Sequence, residues 1–494
     1  MPYRDLREYL SRLEKEDLLY WVDQEVDRDW EISCINRSVF QGLPEPAVGK
    51  GTGKRYALGF RRIKNFPGFS FVVGVVGNSR HHIAAAIESP VDDGAILRKM
   101  SDALAQPIPP RIVSDGPCKE VVLHGEEVDL RRFPAIVWTP GKDAGPYFTP
   151  MWFTRDPDTG RRNLGIYRSQ LKGADRLAIW TYQDAYRNMS RWFARGESCP
   201  AALVIGADPT LYLMAGAKAP YGYDEIAGAG GLRGEPVELV KCDTIDLEVP
   251  ATAEIVLEGE FSPNDREQEG PFGEFTGYMA ASPVPMPVFR VKHITHRRNP
   301  IVQGLTAQFP LSESSILRQA SREACVFKHL RHDLLFDWVI DYHLTIPGGS
   351  LAWSWVKIRK TSAIQVERVV AGIIACLGTG AGKWIVVCDD DVEIRDPFAR
   401  EWVLAYSVRP SQDIRLIGPV EAMALDPSAA PAEEVERSSR AGLTSSRVII
   451  DATRKWKYPE ISMPPREMLD RARARWQEYG LPPVGEPWFP FRHS

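Results

Sequence analysis

Two carboxylates bracket a breaker-rich tetrapeptide in Glu269-Gly-Pro-Phe-Gly-Glu274, and an amide and a guanidinium bracket Asn163-Leu-Gly-Ile-Tyr-Arg168. A planar guanidinium grips an organic acid through two parallel hydrogen bonds. Two carboxylates held close cannot both ionise cheaply, so one keeps a proton near neutral pH and can deliver it. Together these are parts for chemistry at a carbon–carboxylate bond. Pro271 and the two glycines exclude a regular helix, so the motif predicts a tight turn that directs Glu269 and Glu274 to one cleft. Spacing alone also allows a solvated acidic turn, because Asp265 and Glu267 lie nearby, and a solvent-facing edge-strand position for Arg168.

The elements that must position these residues change character along the chain. Residues 4–18 carry Leu6, Tyr9, Leu10 and Leu13 at helical spacing, followed by the β-prone Leu19-Tyr-Trp-Val22. Residues 69–76 read as a buried strand leading into a helix near His82, so the section to about residue 115 forms a small α/β unit. From 118 to 300 short β-prone runs recur between Gly, Pro and Asp, the pattern of a β-barrel or sandwich. Residues 310–332 predict a linking helix. Beyond it, helical 363–377, the strand Trp384–Val387 and helical Pro397–Tyr406 alternate as in an α/β layer. The stretch Asp426–Arg440 reads as a mobile loop, and the Trp-, Pro- and Arg-rich tail as a segment packed on another surface.

A chain of 494 residues is too long for one ordinary core and implies about two or three domains. Hydrophobic residues at 44% and charged residues at 26% are those of a soluble globular protein. A net charge of −4 gives no general attraction to nucleic acid or anionic membrane, and neither is an expected partner. Cys34, Cys118, Cys199, Cys242, Cys325, Cys376 and Cys388 are scattered without a C-x-x-C, which predicts reduced thiols and, with a charged N-terminus and no bilayer-length apolar run, a cytoplasmic protein. Gly378-Thr-Gly-Ala-Gly-Lys383 looks like a P-loop but is one residue short, has Trp384 where Ser or Thr should bind Mg²⁺, and precedes its strand; it reads as a helix-to-strand turn. The nine histidines form no H-E-x-x-H, and there is no G-x-S-x-G elbow, which argues against zinc and serine hydrolase chemistry.

Along most of its length the chain resembles the UbiD family of decarboxylases. The likeness runs through Asp5-Leu-Arg-Glu-Tyr-Leu10, Asp129-Leu-Arg-Arg-Phe-Pro134, Gly145-Pro-Tyr-Phe-Thr149, Asn163–Arg168, Val249–Gly259, Glu269–Glu274, Cys388-Asp-Asp-Asp-Val392 and Asp451-Ala-Thr-Arg-Lys-Trp456, in that order. It implies an α/β (α+β) chain: an N-terminal α/β segment over 1–115, a flavin-reductase-like split β-barrel cofactor domain over 116–308, a linking helix over 309–332, and a C-terminal α/β oligomerisation domain with its tail over 333–494. It also implies reversible, non-oxidative decarboxylation with prenylated FMN, a divalent metal (Mn²⁺ or Mg²⁺), K⁺ as a further candidate ion, a flavin prenyltransferase as cofactor supplier, and a homo-oligomer, dimer or hexamer.

Carried over residue by residue, the resemblance makes Arg168, Glu269 and Glu274 the catalytic set. Ile166, Tyr167, Arg168, Trp180, Thr181, Tyr182 and Arg447 become cofactor contacts, and Asn163, Asp184 and Glu225 metal ligands. Family members commonly have histidine at the middle ligand position, where this chain has Asp184. The rings of Tyr167, Trp180, Tyr182 and Tyr186 favour a small aromatic or heteroaromatic acid as substrate. A prenylated-flavin carrier without turnover is the alternative, and an intact acid–base set argues against it.

Overall fold

The opening helix, Leu6–Lys15, begins at Asp5, whose carboxylate accepts the Glu8 N–H, and it buries Leu6, Tyr9, Leu10 and Leu13 as their spacing predicts. The computed structural model describes residues 3–42, 55–181, 183–280, 284–378, 382–423, 425–431 and 443–484. The N-terminal layer is a four-stranded sheet in the order Leu19–Val26, Ala57–Ile63, Ser70–Val73, Ile301–Gly304. Its last strand comes from far along the chain and runs parallel to Ser70–Val73. The expected strand over 69–76 stops at Val73. Gly74 turns the chain at φ +79°, and the N–H groups of Gly74, Val76 and Gly77 point at the buried Glu313 carboxylate instead of a neighbouring strand.

The central sheet is antiparallel and nine-stranded. Its order is Tyr147–Phe148, Ser169–Leu171, Arg176–Ile179, Val284–His296, Ile255–Glu269, Cys199–Ile205, Met151–Arg155, Arg162–Ile166, with Val121–His124 paired to Val284–His296. Trp152, Phe261 and Phe289 meet inside it with ring centroids 5.1–5.2 Å apart, an aromatic centre that fixes the curvature of the half-barrel.

The linking helix, Glu313–Lys328, is buried on most of its surface, including Ile316, Leu317, Ala324 and Phe327. It leads to a five-stranded sheet in the order Val339–Leu344, Trp353–Ile358, Trp384–Asp389, Thr444–Asp451, Ile414–Glu421. The helices Ile364–Leu377 and Pro397–Ser407 accompany it. The P-loop-like run falls between the helix that ends at Leu377 and the strand that begins at Trp384, and its residues 379–381 lie outside the described residues. The expected loop over Asp426–Arg440 lies beyond residue 431 outside the described residues. The C-terminal helix Arg466–Ala474 buries no residue, so the described tail does not pack on a surface of its own chain. The seven cysteines are unpaired, and among the described residues no helix is long and apolar enough to cross a membrane.

Candidate active site

Arg168 lies between the strands Arg162–Ile166 and Ser169–Leu171, while Glu269 ends the strand Ile255–Glu269. Their side chains are almost wholly buried, and Nε and Nη2 of Arg168 each stand 2.8 Å from a different oxygen of Glu269. Nη1 donates to Glu274 Oε1. The tight turn thus brings both carboxylates to one guanidinium, as its composition predicts. Trp180 and Phe272 sandwich the cation, each with its ring centroid 4.9 Å from the guanidinium carbon. Burial works to lower the Arg168 pKa, but Glu274 and Glu269 outweigh it and hold the group charged. An arginine has five N–H donors. Three are spent on these two carboxylates, and among the described residues the other two have no hydrogen-bond partner, which suits them to an incoming acid.

The turn is held from outside. Gly270 N–H donates to Gln170 Oε1 (3.3 Å), and Ala144 N–H donates to the Pro271 carbonyl (3.0 Å). Gly273 N–H donates to Asp143 (3.0 Å), which also accepts the Thr139 N–H. A Cβ at Gly273 would stand 2.5 Å from Thr139 Oγ1. Burial pushes the Asp143 carboxyl up to about 6 against these N–H groups.

A second pocket is lined by Asn163, Asp184 and Glu225 together with Arg161, Arg162, Asn188, Tyr221, Gly222 and Tyr223. Three elements deliver the three oxygen donors: a strand carries Asn163, and the first turns of the helices Gln183–Ala194 and Glu225–Arg233 carry Asp184 and Glu225. Glu225 is pushed up to about 8, chiefly by burial and further by Asp184; its own and Leu164's backbone N–H oppose the shift. Burial also raises Asp184. A buried and a half-buried carboxylate, both pushed towards their protonated forms, beside an amide oxygen are what a hard divalent cation relieves, so the donor set fits Mn²⁺ or Mg²⁺.

Three cations, Lys218, Arg322 and Arg447, act on one another near Asp184. Lys218 donates to the Leu377 carbonyl and acts on Asp184. Burial first, then Arg322 and Arg447, hold it down to about 8. Arg447 donates to the Gly378 carbonyl (2.9 Å) and lines a crevice of the C-terminal domain with Lys383 and Ser445 rather than the oxygen-lined pocket. Such a cluster suits a phosphate bound beside the metal.

Of the other expected cofactor contacts, Ile166 and Tyr167 are half-buried on the segment between Asn163 and Arg168. The Tyr167 ring folds over Gly165, where a Cβ would stand 2.7 Å from it. The Thr181 hydroxyl, next to Trp180, is buried without a hydrogen-bond partner among the described residues, an orphan that a bound group can satisfy. Tyr182 lies outside the described residues. Tyr186 is 56% exposed and so offers no enclosed stacking surface.

Sequence reasoning passed over Lys218, Arg322, Asn188, Tyr221 and Asp143. Asn188 carried a signal: it stands four residues after Asp184 on one helix face. The others are joined to the site only by tertiary packing. A further group, Asp243, Glu258 and His293, brings ligand-type atoms within 4.8 Å of one another. There Glu258 accepts the N–H of Asp243 and Thr244 and the Thr244 hydroxyl, and Lys119 pairs with Asp243. It is a hydrogen-bonded network tied to Lys119.

Family models of 3-octaprenyl-4-hydroxybenzoate carboxy-lyase match the chain in three parts: the N-terminal domain over residues 10–104, the Rift-related domain over 111–309 and the C-terminal domain over 315–452. Among solved structures, the UbiD-class enzyme HmfF from Pelotomaculum thermopropionicum, an evolved dimeric form in complex with prFMN, is 31% identical. It covers 96% of this chain and 100% of its own, with a TM-score of 0.79. Vanillic acid decarboxylase from Sedimentibacter hydroxybenzoicus in closed form is 26% identical, covering 97% and 100%, with a TM-score of 0.85. The apo 3,4-dihydroxybenzoic acid decarboxylase of Klebsiella pneumoniae is 25% identical, covering 95% and 99%, with a TM-score of 0.78.

Proposed function

The chain belongs to the UbiD family of carboxy-lyases, and from that membership and its site we propose that it catalyses the reversible, non-oxidative decarboxylation of an aromatic or heteroaromatic, α,β-unsaturated carboxylic acid with prenylated FMN. The observation that carries this reading is Arg168 held between Glu269 and Glu274 with two donors to spare.

Loss of CO₂ from an sp² carbon leaves an electron pair that no side chain can accept; bound prenylated flavin supplies that electron sink. Asn163, Asp184 and Glu225 would hold Mn²⁺ or Mg²⁺, and Lys218, Arg322 and Arg447 would supply positive charge for a phosphate. Ile166, Tyr167, Trp180 and Thr181 would line the ring system. The two spare N–H groups of Arg168 take the substrate carboxylate. Glu269, bonded twice to Arg168, fixes the plane of the guanidinium. Glu274, bonded once, leaves Arg168 and delivers a proton to the carbon as CO₂ departs, which requires it to be protonated at that moment. In the carboxylation direction the same group takes the proton back.

The vanillic acid and 3,4-dihydroxybenzoic acid decarboxylases that the chain is similar to support an aromatic acid. The protein works in this reading as a homo-oligomer assembled through the C-terminal domain, in the cytosol, supplied by a flavin prenyltransferase. The test is to co-express the two proteins, record the bound chromophore, and incubate the product with hydroxybenzoates, vanillate, and indole and phenazine carboxylates. Chromophore with loss of carboxylate is the expected result. Chromophore without turnover across the panel leaves a flavin carrier.

A further inference from the structure

Two asparagines line the oxygen-rich pocket, Asn163 and Asn188, and their surroundings are not equivalent. Thr154, on the neighbouring strand, is the register partner of Asn163 and is 2% exposed. Its hydroxyl oxygen lies 3.3 Å from Asn163 Nδ2 and 3.1 Å from Asn188 Nδ2. At its other end Asn188 Oδ1 lies 3.3 Å from the Tyr221 hydroxyl. Tyr221 is itself hydrogen-bonded to Asp156, and Asp156 accepts from Arg191.

Both ends of the Asn188 amide therefore face protein partners, Thr154 at the nitrogen and Tyr221 at the oxygen. Asn163 has only its nitrogen engaged, and among the described residues no protein donor reaches its Oδ1. An amide whose nitrogen is tied to a hydroxyl on one side presents its carbonyl oxygen on the other, and a cation needs that orientation: the flipped amide would offer N–H dipoles to it.

Resting on the reading of this pocket as the metal centre, we propose that Thr154 is a positioning residue. Its hydroxyl, braced by Asn188, Tyr221 and Asp156, locks the Asn163 side chain with its oxygen towards the metal, so that Asn163 is a ligand and Asn188 a strut. Outer partners of metal ligands commonly contribute about 10–100-fold in affinity.

The test is a Mn²⁺ titration followed by electron paramagnetic resonance, with FMN present, on the full chain and on Thr154→Val, Thr154→Ser, Asn163→Ala and Tyr221→Phe; thermal unfolding is recorded without metal. Thr154→Val is close to isosteric and removes only the hydroxyl. It is expected to weaken Mn²⁺ binding about 10–100-fold, Thr154→Ser to restore it, and Asn163→Ala to lose it. Should the valine variant fail to fold, Tyr221→Phe releases the strut from the surface and must weaken Mn²⁺ in the same direction. Wild-type Mn²⁺ affinity in Thr154→Val, whatever its melting temperature, overturns the proposal while Asn163→Ala still loses the metal. Wild-type affinity in Asn163→Ala overturns the metal centre itself, and the strut with it.

Discussion

Arg168 divides its donors unequally, and the division separates the roles of its two partners. Glu269 takes two of them and is fully buried; replacing it with alanine leaves the buried cation with Glu274 as its one remaining carboxylate, at a cost of up to about 3–5 kcal/mol in unfolding free energy measured by denaturant titration. Glu274 takes one. Glu274→Gln preserves an acceptor for Arg168 and removes only the transferable proton. We expect kcat to fall about 10²–10⁴-fold with the flavin chromophore retained; a wild-type rate would remove Glu274 from the mechanism. Asp143 gives a pH dependence. Its carboxyl is raised by burial from 3.8 to about 6, so between those values the folded state binds more protons than the unfolded state. Its contribution to stability is complete below 3.8 and is lost as pH rises through 6, on the order of 3 kcal/mol at most. Asp143→Asn carries a pH-independent penalty for one lost N–H acceptor but no such slope. The melting-temperature gap between wild type and variant should therefore narrow, or reverse, as pH rises from about 4 to 7. A constant gap across that range would mean that the carboxyl does not titrate there.

At the scale of elements, what was legible depended on how local the cause was. The turn Glu269–Glu274 could be read from the sequence because five adjacent peptide units determine it: proline and glycine exclude a helix, and the two carboxylates then have one side on which to converge. The linking helix and the alternating C-terminal layer were legible for the same reason, since periodicity is local. The oxygen-lined pocket was not. Asn163, Asp184 and Glu225 come from one strand and two helix starts, and only the family likeness joined them. Thr154 was invisible because it meets Asn163 by strand register, which one sequence does not print. The strand over 69–76 was overextended because apolar residues continue past Gly74, while their N–H groups belong to Glu313. Gly165 shows an element-scale demand that composition conceals. Its missing Cβ makes room for the Tyr167 ring, which a methyl would approach to 2.7 Å. Gly165→Ala should displace that ring at a cost of about 1–3 kcal/mol; if Tyr167 contacts the flavin as proposed, it should also lower the flavin content of the purified protein, read from its visible spectrum against total protein.

For the whole molecule, the layers are joined with unequal strength. The linking helix is bolted to the C-terminal sheet by Glu323, which is 4% exposed. Its Oε1 accepts His343 Nδ1 (2.9 Å) and the Leu344 N–H (2.8 Å), and its Oε2 accepts Arg395 Nη1 (2.9 Å). Arg395 continues to Asp341 (3.0 Å); although burial opposes its charge, Asp341 and Glu323 keep it ionised. Contacts from the same C-terminal layer to the cofactor domain are lighter: Lys218 on the Leu377 carbonyl, and the Phe275 ring between the Arg318 guanidinium (3.7 Å to the centroid) and Gly349. The same helix is tied to the N-terminal sheet through Glu313 and the N–H groups of Gly74, Val76 and Gly77, so its two ends serve two layers and Glu323 holds the C-terminal one. Glu323→Ala tests this division. It strands Arg395 beside Asp341 and leaves His343 and the Leu344 N–H without their acceptor, a loss of about 3–5 kcal/mol confined to the joint between helix and C-terminal sheet. Calorimetry should then show a C-terminal transition moved to lower temperature ahead of the rest of the molecule, while Mn²⁺ binding at the Asn163 pocket survives below that transition. One unsplit transition at the wild-type temperature would mean that the joint does not hold the layers together.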